Sequence, residues 1–345
     1  MAVQRALKRF GTAKRAMGAG ATALSPSMRL TPQALRAGGY PDGVQRRARS
    51  ILEACADQAI AVVTVEAESY PARLRQLHDP PPFLFLRGDE SLLVRRSVAI
   101  VGSRRSTPYG RRIAEELGGA LARAGVVVVS GMALGIDGAA HRGCIAAGGA
   151  TLAVLGSGPD VLSPTSHASL GRDIVRTGLL VSEFLPGEPP LAHHFPRRNR
   201  ILAGLADAVV VVEAAARSGA LITVGHALDL GRDVFAVPGQ LGAPSSQGAN
   251  ALIRDGAGMI TSVEEFVAMV VGEDTDSPVG TNREPVGVGI EALELWRALG
   301  DGAANVDRLA HLAHLTPAQA LAGLAELEIV GCAVRDGGMR FRRSA

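Results

Sequence analysis

A buried strand followed by a polar turn is encoded by Val98-Ala99-Ile100-Val101-Gly102-Ser103-Arg104. Similar short apolar runs, rich in valine, recur with starts about 25–29 residues apart, the length of a strand–helix–strand unit. The later runs occupy residues 126–129, 152–155, 179–181, 208–212 and 234–237. The runs are continuous rather than alternating, which is typical of parallel strands that are buried on both faces.

Helical patterns fill the intervals between these runs. One apolar face, ended by Gly125, is formed by Ile113, Leu117, Ala120, Leu121 and Ala124. The sequence therefore predicts the α/β class, with a Rossmann-like doubly wound, mostly parallel sheet.

Changes in composition predict five segments. Residues 1–30 carry six basic and no acidic side chains, and we expect a flexible basic extension, with a transit peptide as the less favoured alternative. Residues 31–75 hold short helical patterns that predict a small helical, SAM-like domain. The Rossmann-like domain follows at 76–271, then a linker rich in Gly and Pro at 272–288, and a winged-helix-like domain at 289–345.

The C-terminal prediction rests on three helical segments followed by two short strands. Thr316, Pro317 and Gln319 form a capping-box pattern, and Asp336-Gly337-Gly338 is a hairpin signal. The predicted recognition helix, 317–328, has no basic residue, so it lacks the charge that a major-groove reader needs. We expect this domain to contact another protein, or not to recognise duplex DNA. DNA contact remains the alternative through Arg335, Arg340, Arg342 and Arg343.

Composition excludes several kinds of protein. The 345 residues carry a formal charge of +3, and 47% hydrophobic with 20% charged residues excludes a wholly disordered chain. Of the basic residues, 34 are Arg, and the two lysines are Lys8 and Lys14. A Walker-A site, a Schiff-base lysine and a lysine general base are therefore excluded from the predicted folded region. Phosphate there must be contacted by arginine, backbone N–H groups or hydroxyls.

The cysteines Cys55, Cys144 and Cys332 are far apart and odd in number, so they predict neither a disulfide framework nor a CxxC metal site. A reducing compartment fits them best, and we expect a cytoplasmic protein. No transmembrane helix is expected, because the longest uncharged apolar stretch, 143–159, is broken by glycines.

Ligands of this fold bind beyond the carboxyl ends of the strands. Gly102, Ser103 and Arg104 follow the first predicted strand, and no acidic residue ends the second strand to hold a ribose. A phosphate suits this turn better than a dinucleotide, and a solvated turn is the alternative. Ser130 and Gly131 follow the second strand. We expect Asp137 to be a helix-capping residue.

The strongest electropositive feature is Phe195-Pro196-Arg197-Arg198-Asn199-Arg200, which has three arginines and no nearby acidic residue in sequence. Arginine pairs with phosphate and stacks on bases. Phe195 is predicted to be either a stacking platform or a core residue. Further strand ends carry Arg217, Ser218 and Gly219, and then Gly239 and Asn250. Together these turns predict a site for an anionic ligand, and polyphosphate is favoured.

Catalytic patterns are weak. His141 and Cys144 share a helix face, and a satisfied histidine beside a buried cysteine is favoured over a dyad or half a metal site. His193 and His194 are expected to add to the positive patch. The sequence predicts no cofactor and no metal.

Several of these segments form a recognisable series. They are 98–104, 130–137, Phe195-Pro196-Arg197-Arg198-Asn199-Arg200, Ser218-Gly219-Ala220-Leu221-Ile222-Thr223, and Pro238-Gly239 with 248–253. In order and spacing, over about residues 68–260, the series resembles the DNA-processing protein A (DprA, also Smf) family. The resemblance implies a cytoplasmic, non-enzymatic recombination mediator. Such a protein binds single-stranded DNA, forms dimers, protects incoming DNA and loads the recombinase RecA during natural transformation.

The residues that the resemblance and the strand-end turns together predict to bind DNA are Gly102, Ser103, Arg104, Ser130, Gly131, Phe195, Arg197, Arg198, Asn199, Arg200, Arg217, Ser218, Gly219, Gly239 and Asn250. The sequence departs from the family pattern in three places. Leu134 stands where a basic residue is usual, a lysine is missing before Phe195, and Ser163-Pro164 replaces a Tyr-Pro pair.

Two other functions were weighed. The first is a Rossmann-like nucleotide phosphoribohydrolase of the lysine-decarboxylase-like type, whose PGGxGTxxE signature supplies a glutamate. Here Pro238-Gly239 is followed by Gln240-Leu241-Gly242, without that glutamate. Release of a base from a nucleoside monophosphate would distinguish this enzyme from a mediator. The weaker alternative is a DNA-organising protein, which would prefer duplex.

Overall fold

The computed structural model describes residues 40–271, 288–299, 304–330, 332–335 and 340–343. The chain divides into two compact units, Met1–Val271 and Gly272–Ala345. The predicted extension at 1–30 and nearly all of the predicted linker lie outside the described residues. Within the described ranges, no helix is both long and apolar enough to cross a membrane.

A nine-stranded sheet forms the centre of the first unit. Its strands are β1 (Ala61–Thr64), β2 (Phe83–Gly88), β3 (Ser97–Val101), β4 (Val127–Ser130), β5 (Thr151–Val154), β6 (Leu179–Ser182), β7 (Ala208–Val211), β8 (Asp233–Ala236) and β9 (Gly258–Met259). Their order across the sheet is β1-β2-β6-β5-β4-β3-β7-β8-β9. Strands β3 to β9 pair in parallel, and β1 and β2 form an antiparallel edge. Every predicted valine-rich run is a strand, so the mostly parallel α/β prediction is confirmed.

Helices cover both faces of this sheet. They are α1 (Tyr40–Asp57), α2 (Ala72–Arg75), α3 (Pro108–Arg123), α4 (Ile136–Ala146), α5 (Ala168–Thr177), α6 (His194–Leu205), α7 (Ala220–Asp229), α8 (Gln247–Arg254) and α9 (Val263–Val271). Alternate residues of β3 face opposite layers. Ala99 packs in the cluster that contains Leu202 of α6, and Ile100 packs in the cluster that contains Leu117 of α3.

Helices α3 and α4 approach each other closely. The Thr107 side chain caps α3 by accepting from the Gly110 N–H at 3.1 Å. Gly118 of α3 lies against the Ala140 carbonyl, and Gly143 of α4 lies against the Glu115 carbonyl. A Cβ atom at either glycine would collide with backbone, so the two glycines permit this packing.

The edge strand β1 differs from the sequence prediction. Residues 61–64 were expected within a small helical domain at 31–75, but they form a strand whose Ala61 pairs with Leu86. Val62, Val63 and Thr64 are β-branched and the run is short, which suits an edge strand better than a helix. Tyr70 and Leu74 that follow pack in the same core as the sheet.

The second unit is a small helical and β domain. Its elements are α10 (Ile290–Ala298), β10 (Ala304–Asn305), α11 (Val306–Leu312), α12 (Pro317–Ile329), β11 (Ala333–Arg335) and β12 (Arg340–Arg343). The strand order is β10-β12-β11, and the core contains Trp296, Leu309 and Phe341. The capping box between Thr316 and Gln319 is present as predicted. The predicted turn at 336–338 and the side chains of the wing arginines lie outside what the structure describes.

Candidate functional site

A cavity of about 870 Å³, the switch-point pocket, opens where the sheet order reverses. From β3 the chain runs to β4 on one side, whereas β7 lies on the other side of β3. The loops after β3 and β7 therefore diverge and leave a crevice, which is the usual ligand site of a doubly wound sheet. The predicted site residues that line it are Gly102, Ser103, Arg104, Phe195, Arg198, Asn199, Arg217, Ser218 and Gly219.

The loop after β3 supplies two arginines to the pocket, Arg104 and Arg105. Both side chains are exposed, and neither forms an ion pair in the described part of the chain. The Arg104 guanidinium lies over the Phe195 ring, 4.7 Å from its centroid. This cation–π contact orders Arg104 and makes Phe195 half-buried rather than a free platform. The sequence predicted that this turn contacts phosphate. Arg105 was not among the residues predicted to bind DNA.

Glu213 anchors that loop from the end of β7. Its carboxylate is buried and accepts from the Thr107 N–H at 2.9 Å and from the Thr107 hydroxyl. Its carbonyl oxygen accepts from the Ser103 N–H at 2.7 Å. The sequence analysis assigned no role to Glu213. An acidic residue at a strand end, opposite a turn rich in Ser and Thr, could have predicted that its carboxylate accepts hydrogen bonds from that turn. Glu213 is a positioning residue for Arg104.

Ser130 and Gly131 after β4 were predicted to contact the ligand, and the structure corrects this. Both are buried behind the pocket. The Ser130 hydroxyl donates to the Ile100 carbonyl at 2.6 Å, and Gly131 makes room for the Arg198 guanidinium. The polar groups of both residues already have hydrogen-bond partners inside the protein. The two residues therefore support the wall of the pocket.

Asp137 lines the floor of the pocket and is nearly inaccessible. It was expected to cap α4, but the N-cap is Gly135, and the Asp137 carboxylate accepts from the N–H groups of Gly131 and Ala133 at 3.1 and 3.4 Å. Burial raises the pKa of this carboxyl, and the nearby Arg198 guanidinium opposes the shift. Asp137 thus braces the loop after β4 and offsets the charge of Arg198.

Helix α6 presents Phe195, Arg198 and Asn199 to the pocket, because residues three and four apart share a helix face. Arg198 is 3% exposed, and its Nη1 donates to the carbonyls of Gly131, at 2.9 Å, and Val154. Burial lowers the pKa of Arg198 to about 10, so the guanidinium still carries its charge at neutral pH. Arg198 therefore forms a charged floor that ties α6 to the ends of β4 and β5.

Arg197 and Arg200 lie on another face of α6, and neither lines the pocket. Arg200 is buried and pairs with both oxygens of Glu183 at 2.7 and 2.8 Å. Arg197 reaches the same carboxylate at 2.8 Å. The predicted DNA contact of Arg200 is therefore wrong, because Arg200 is buried against Glu183, which is distant in sequence but adjacent in space. Arg197 is half exposed, so its DNA contact stays a prediction for a surface outside the pocket.

The turn before α7 completes the rim. Arg217 is exposed and lines the pocket, and Asn199 Nδ2 donates to the Gly219 carbonyl at 3.3 Å. The N-cap of α7 is Gly219. The Ser218 hydroxyl accepts from the Ala220 N–H at 3.3 Å. This turn thus places a cation and a hydroxyl opposite Arg104.

Gly239 and Asn250 do not line the pocket, which corrects their predicted role. The Asn250 amide accepts from the Gly239 N–H at 2.9 Å and donates to the Gly239 carbonyl at 3.0 Å. These two hydrogen bonds engage the side-chain amide of Asn250 and the backbone N–H and carbonyl of Gly239. Asn250 therefore fixes the loop after β8.

The histidines have structural roles. His141 is buried, with Nδ1 at 2.6 Å from the Thr151 hydroxyl, but its Nε2 is buried without a hydrogen-bond partner among the residues that the structure describes, so the predicted satisfied histidine is satisfied at one ring nitrogen only. Cys144 is buried, as predicted. Burial lowers the pKa of His141 to about 3 and raises that of Cys144 to about 12. His194 was expected in the positive patch, but it is buried and stacked on Phe184 with ring centroids 3.9 Å apart.

The pocket combines three exposed cations at its rim with a partly apolar lining above the charged floor formed by Arg198. Arg104, Arg105 and Arg217 stand at its rim, and within the described residues none of them is neutralised by an ion pair. The apolar lining includes Leu202, Ala220 and Ile222. Such an arrangement suits a flexible polyanion with flat apolar groups, because the guanidinium groups pair with phosphates while the interior accepts bases.

Comparison with known protein families places the chain. The model of the DNA recombination-mediator protein A family matches residues 61–271, and the model of the DprA winged helix domain matches residues 283–339. Protein Smf of Escherichia coli (strain K12) is 39% identical over 291 residues, covering 82% of this chain and 78% of that protein. DNA processing protein DprA of Bacillus subtilis (strain 168) is 40% identical over 217 residues, covering 63% of this chain and 73% of the relative.

Solved structures of DNA processing protein A from two bacteria have a fold similar to that of this chain. DNA processing protein A from Streptococcus pneumoniae superposes with a TM-score of 0.68 at 34% identity, covering 77% of this chain and 92% of that one. A structure on the single-stranded DNA binding mode of DNA processing protein A from Helicobacter pylori gives a TM-score of 0.56 at 31% identity, covering 61% and 95%. The chain belongs to the DNA recombination-mediator protein A family, whose members are also called DprA and Smf.

Proposed function

We propose that this protein is a single-stranded DNA-binding recombination mediator that protects incoming DNA and loads the recombinase RecA during natural transformation. Membership of the DprA family and the single-strand binding of the Helicobacter pylori relative support the DNA ligand. The proposal includes a homodimer in the cytoplasm that acts by binding rather than by catalysis.

The observation that carries the proposal is the rim of unpaired arginines around a partly apolar pocket, with Arg104 held over Phe195 at 4.7 Å. Phosphates bind arginine without regard to sequence, and bases enter an apolar interior only when they are unstacked. In a duplex the bases are paired and stacked inside the helix, so they are unavailable to such a pocket. The geometry therefore favours single strands.

Fluorescence anisotropy of a labelled oligo-dT, compared with a matched duplex across salt concentrations, tests the DNA ligand. We expect tight binding of the single strand only, weakened by salt with a slope of about 0.7 per phosphate contact. Arg104→Ala should lose affinity and reduce this slope. Arg123→Ala is the matched control, because Arg123 is equally exposed but lies in the last turn of α3, away from the pocket. Equal or absent binding of the two DNAs would reject the proposal.

A second assay addresses RecA. RecA filament formation on oligo-dT coated with a single-strand-binding protein should be accelerated by the wild-type protein and not by Arg104→Ala. If the protein binds single strands yet leaves RecA filament formation unchanged, the mediator part of the proposal fails and the DNA-binding part stands.

A further inference from the structure

We propose that Tyr109 and Arg112, in the first turns of α3, form a stacking platform for single-stranded DNA where the strand leaves the switch-point pocket. The proposal deepens the proposed function and depends on it. Neither residue lines the pocket, so the platform is a separate contact site.

The size of the pocket requires an exit for the strand. A cavity of about 870 Å³ is within the range of small-molecule sites, so it holds only a few nucleotides. A longer strand must therefore continue over the surrounding surface, where its phosphates need cations and its unstacked bases need flat partners.

Tyr109 offers such a partner. Its side chain is 44% exposed, whereas Tyr70 is buried and donates its hydroxyl hydrogen to the Pro81 carbonyl at 2.9 Å. The Arg112 guanidinium carbon lies 5.8 Å from the centroid of the Tyr109 ring. This cation–π contact holds the ring in place from one side and leaves it open to a base. An exposed aromatic ring beside a cation provides the flat surface on which an unstacked base can stack.

Further arginines lie in the segment of chain between the pocket and this platform. Arg105 lines the pocket, and Arg111 folds back so that its Nη1 donates to the Ser106 carbonyl at 2.6 Å. Arg112 and Tyr109 come next along the same turn. No acidic residue lies between positions 102 and 114, and the first acidic side chain beyond them, Glu115, lies 3.8 Å from Arg142.

The charge pattern selects the occupant. Arg104, Arg105 and Arg112 form no ion pair with any described residue. The Glu213 carboxylate reaches this segment at Thr107, but it is buried, and the exposed charged side chains between positions 104 and 112 are all arginines. A polyanion with aromatic groups satisfies both the arginines and the ring, which an acidic peptide without aromatic residues does not.

Oligo-dT of two lengths separates the platform from the pocket. We would measure affinity for about 16 nucleotides directly, and for about 4 nucleotides by competition. Tyr109→Ala should weaken binding of the long strand at least about fivefold and leave the short strand unchanged, while Tyr109→Phe retains wild-type affinity. Arg112→Gln should lower the salt slope for the long strand by about 0.7. Arg123→Gln, the same charge loss at the other end of α3, is the control.

The outcomes are distinguishable. If Tyr109→Ala and Arg112→Gln bind the long strand like the wild type while Arg104→Ala weakens both lengths, the platform is rejected and the proposed function stands. Equal losses for both lengths, or an equal effect of Arg123→Gln, also reject the platform. If the wild type binds neither oligonucleotide, the proposed function itself fails.

Discussion

The Arg198 guanidinium lies directly against the Cα atom of Gly131. Its Nη1 donates to the Gly131 carbonyl at 2.9 Å, and a Cβ atom at position 131 would lie 2.5 Å from Nη2. The charged floor of the switch-point pocket therefore exists only because residue 131 has no side chain. This relationship makes Gly131 a requirement of the site although it never touches the pocket.

Gly131→Ala should displace Arg198 and destabilise the protein by about 1–3 kcal/mol, because the added methyl overpacks a buried site. Urea unfolding measures the loss, and affinity for oligo-dT should fall with it. Gly225→Ala is the matched control. A Cβ atom there meets nothing within 4 Å, so this helical substitution should be neutral or stabilising. Wild-type stability and affinity of Gly131→Ala would contradict the prediction.

Glu183→Gln should cost about 1–3 kcal/mol of folding free energy, because the amide replaces a buried carboxylate that pairs with Arg200, while Asp79 Oδ2 at 3.9 Å remains as a second carboxylate. Arg197→Gln breaks an ion pair with the same carboxylate, but Arg197 is half exposed, so it should cost less than about 1 kcal/mol. Denaturant midpoints at constant slope measure both changes. Since Arg197 does not line the pocket, Arg197→Gln should weaken binding of oligo-dT less than Arg104→Ala does. Equal losses of affinity in the two variants would return Arg197 to the pocket.

Glu213→Gln should weaken binding of oligo-dT by loosening the loop that carries Arg104. The substitution preserves shape but replaces one acceptor that faces Thr107 with a donor. In a double-mutant cycle with Arg104→Ala, the two losses should be less than additive, with a coupling of about 0.5–3 kcal/mol. Additive losses would show that Glu213 acts independently of Arg104.

His141 should make folding stability sensitive to acid. Burial holds the pKa of His141 near 3, below the ordinary value of 6.5. Between these two pH values the unfolded chain is protonated at His141 and the folded protein is not. This contribution is complete above pH 6.5 and is lost as the pH falls toward 3, at up to about 1.4 kcal/mol per pH unit. Urea unfolding between pH 7 and pH 4 should show a shallower loss for His141→Gln than for the wild type. Parallel curves would contradict the assignment.

Strand positions followed closely from the sequence, and so did the turn chemistry next to them. Continuous apolar runs bury both faces whatever their partners are, so β3, β4, β5, β6, β7 and β8 were predictable from local pattern alone. The pocket residues that are contiguous with a strand end, such as Ser103 and Arg104, were predictable for the same reason.

Several of the wrong assignments of DNA-binding residues involve partners that are distant in sequence. Arg200 belongs to the same motif as Arg198, and only the position of Glu183 at the end of β6 decides which of them reaches the pocket. Likewise, Asn250 and Gly239 looked like independent polar groups, but they bond to each other. Local pattern identifies the residue types at a site, whereas tertiary pairing decides which remain available for a ligand.

The cation–π contact between Arg104 and the Phe195 ring affects the entropy of DNA binding. A long side chain that is ordered at an interface loses about 0.5–1.5 kcal/mol of conformational freedom, and here part of that loss has already occurred on folding. Replacing Phe195 with leucine should therefore make DNA binding entropically less favourable even where the ring touches no nucleotide. Titration calorimetry would show this as a change in the sign or size of TΔS rather than in the number of contacts.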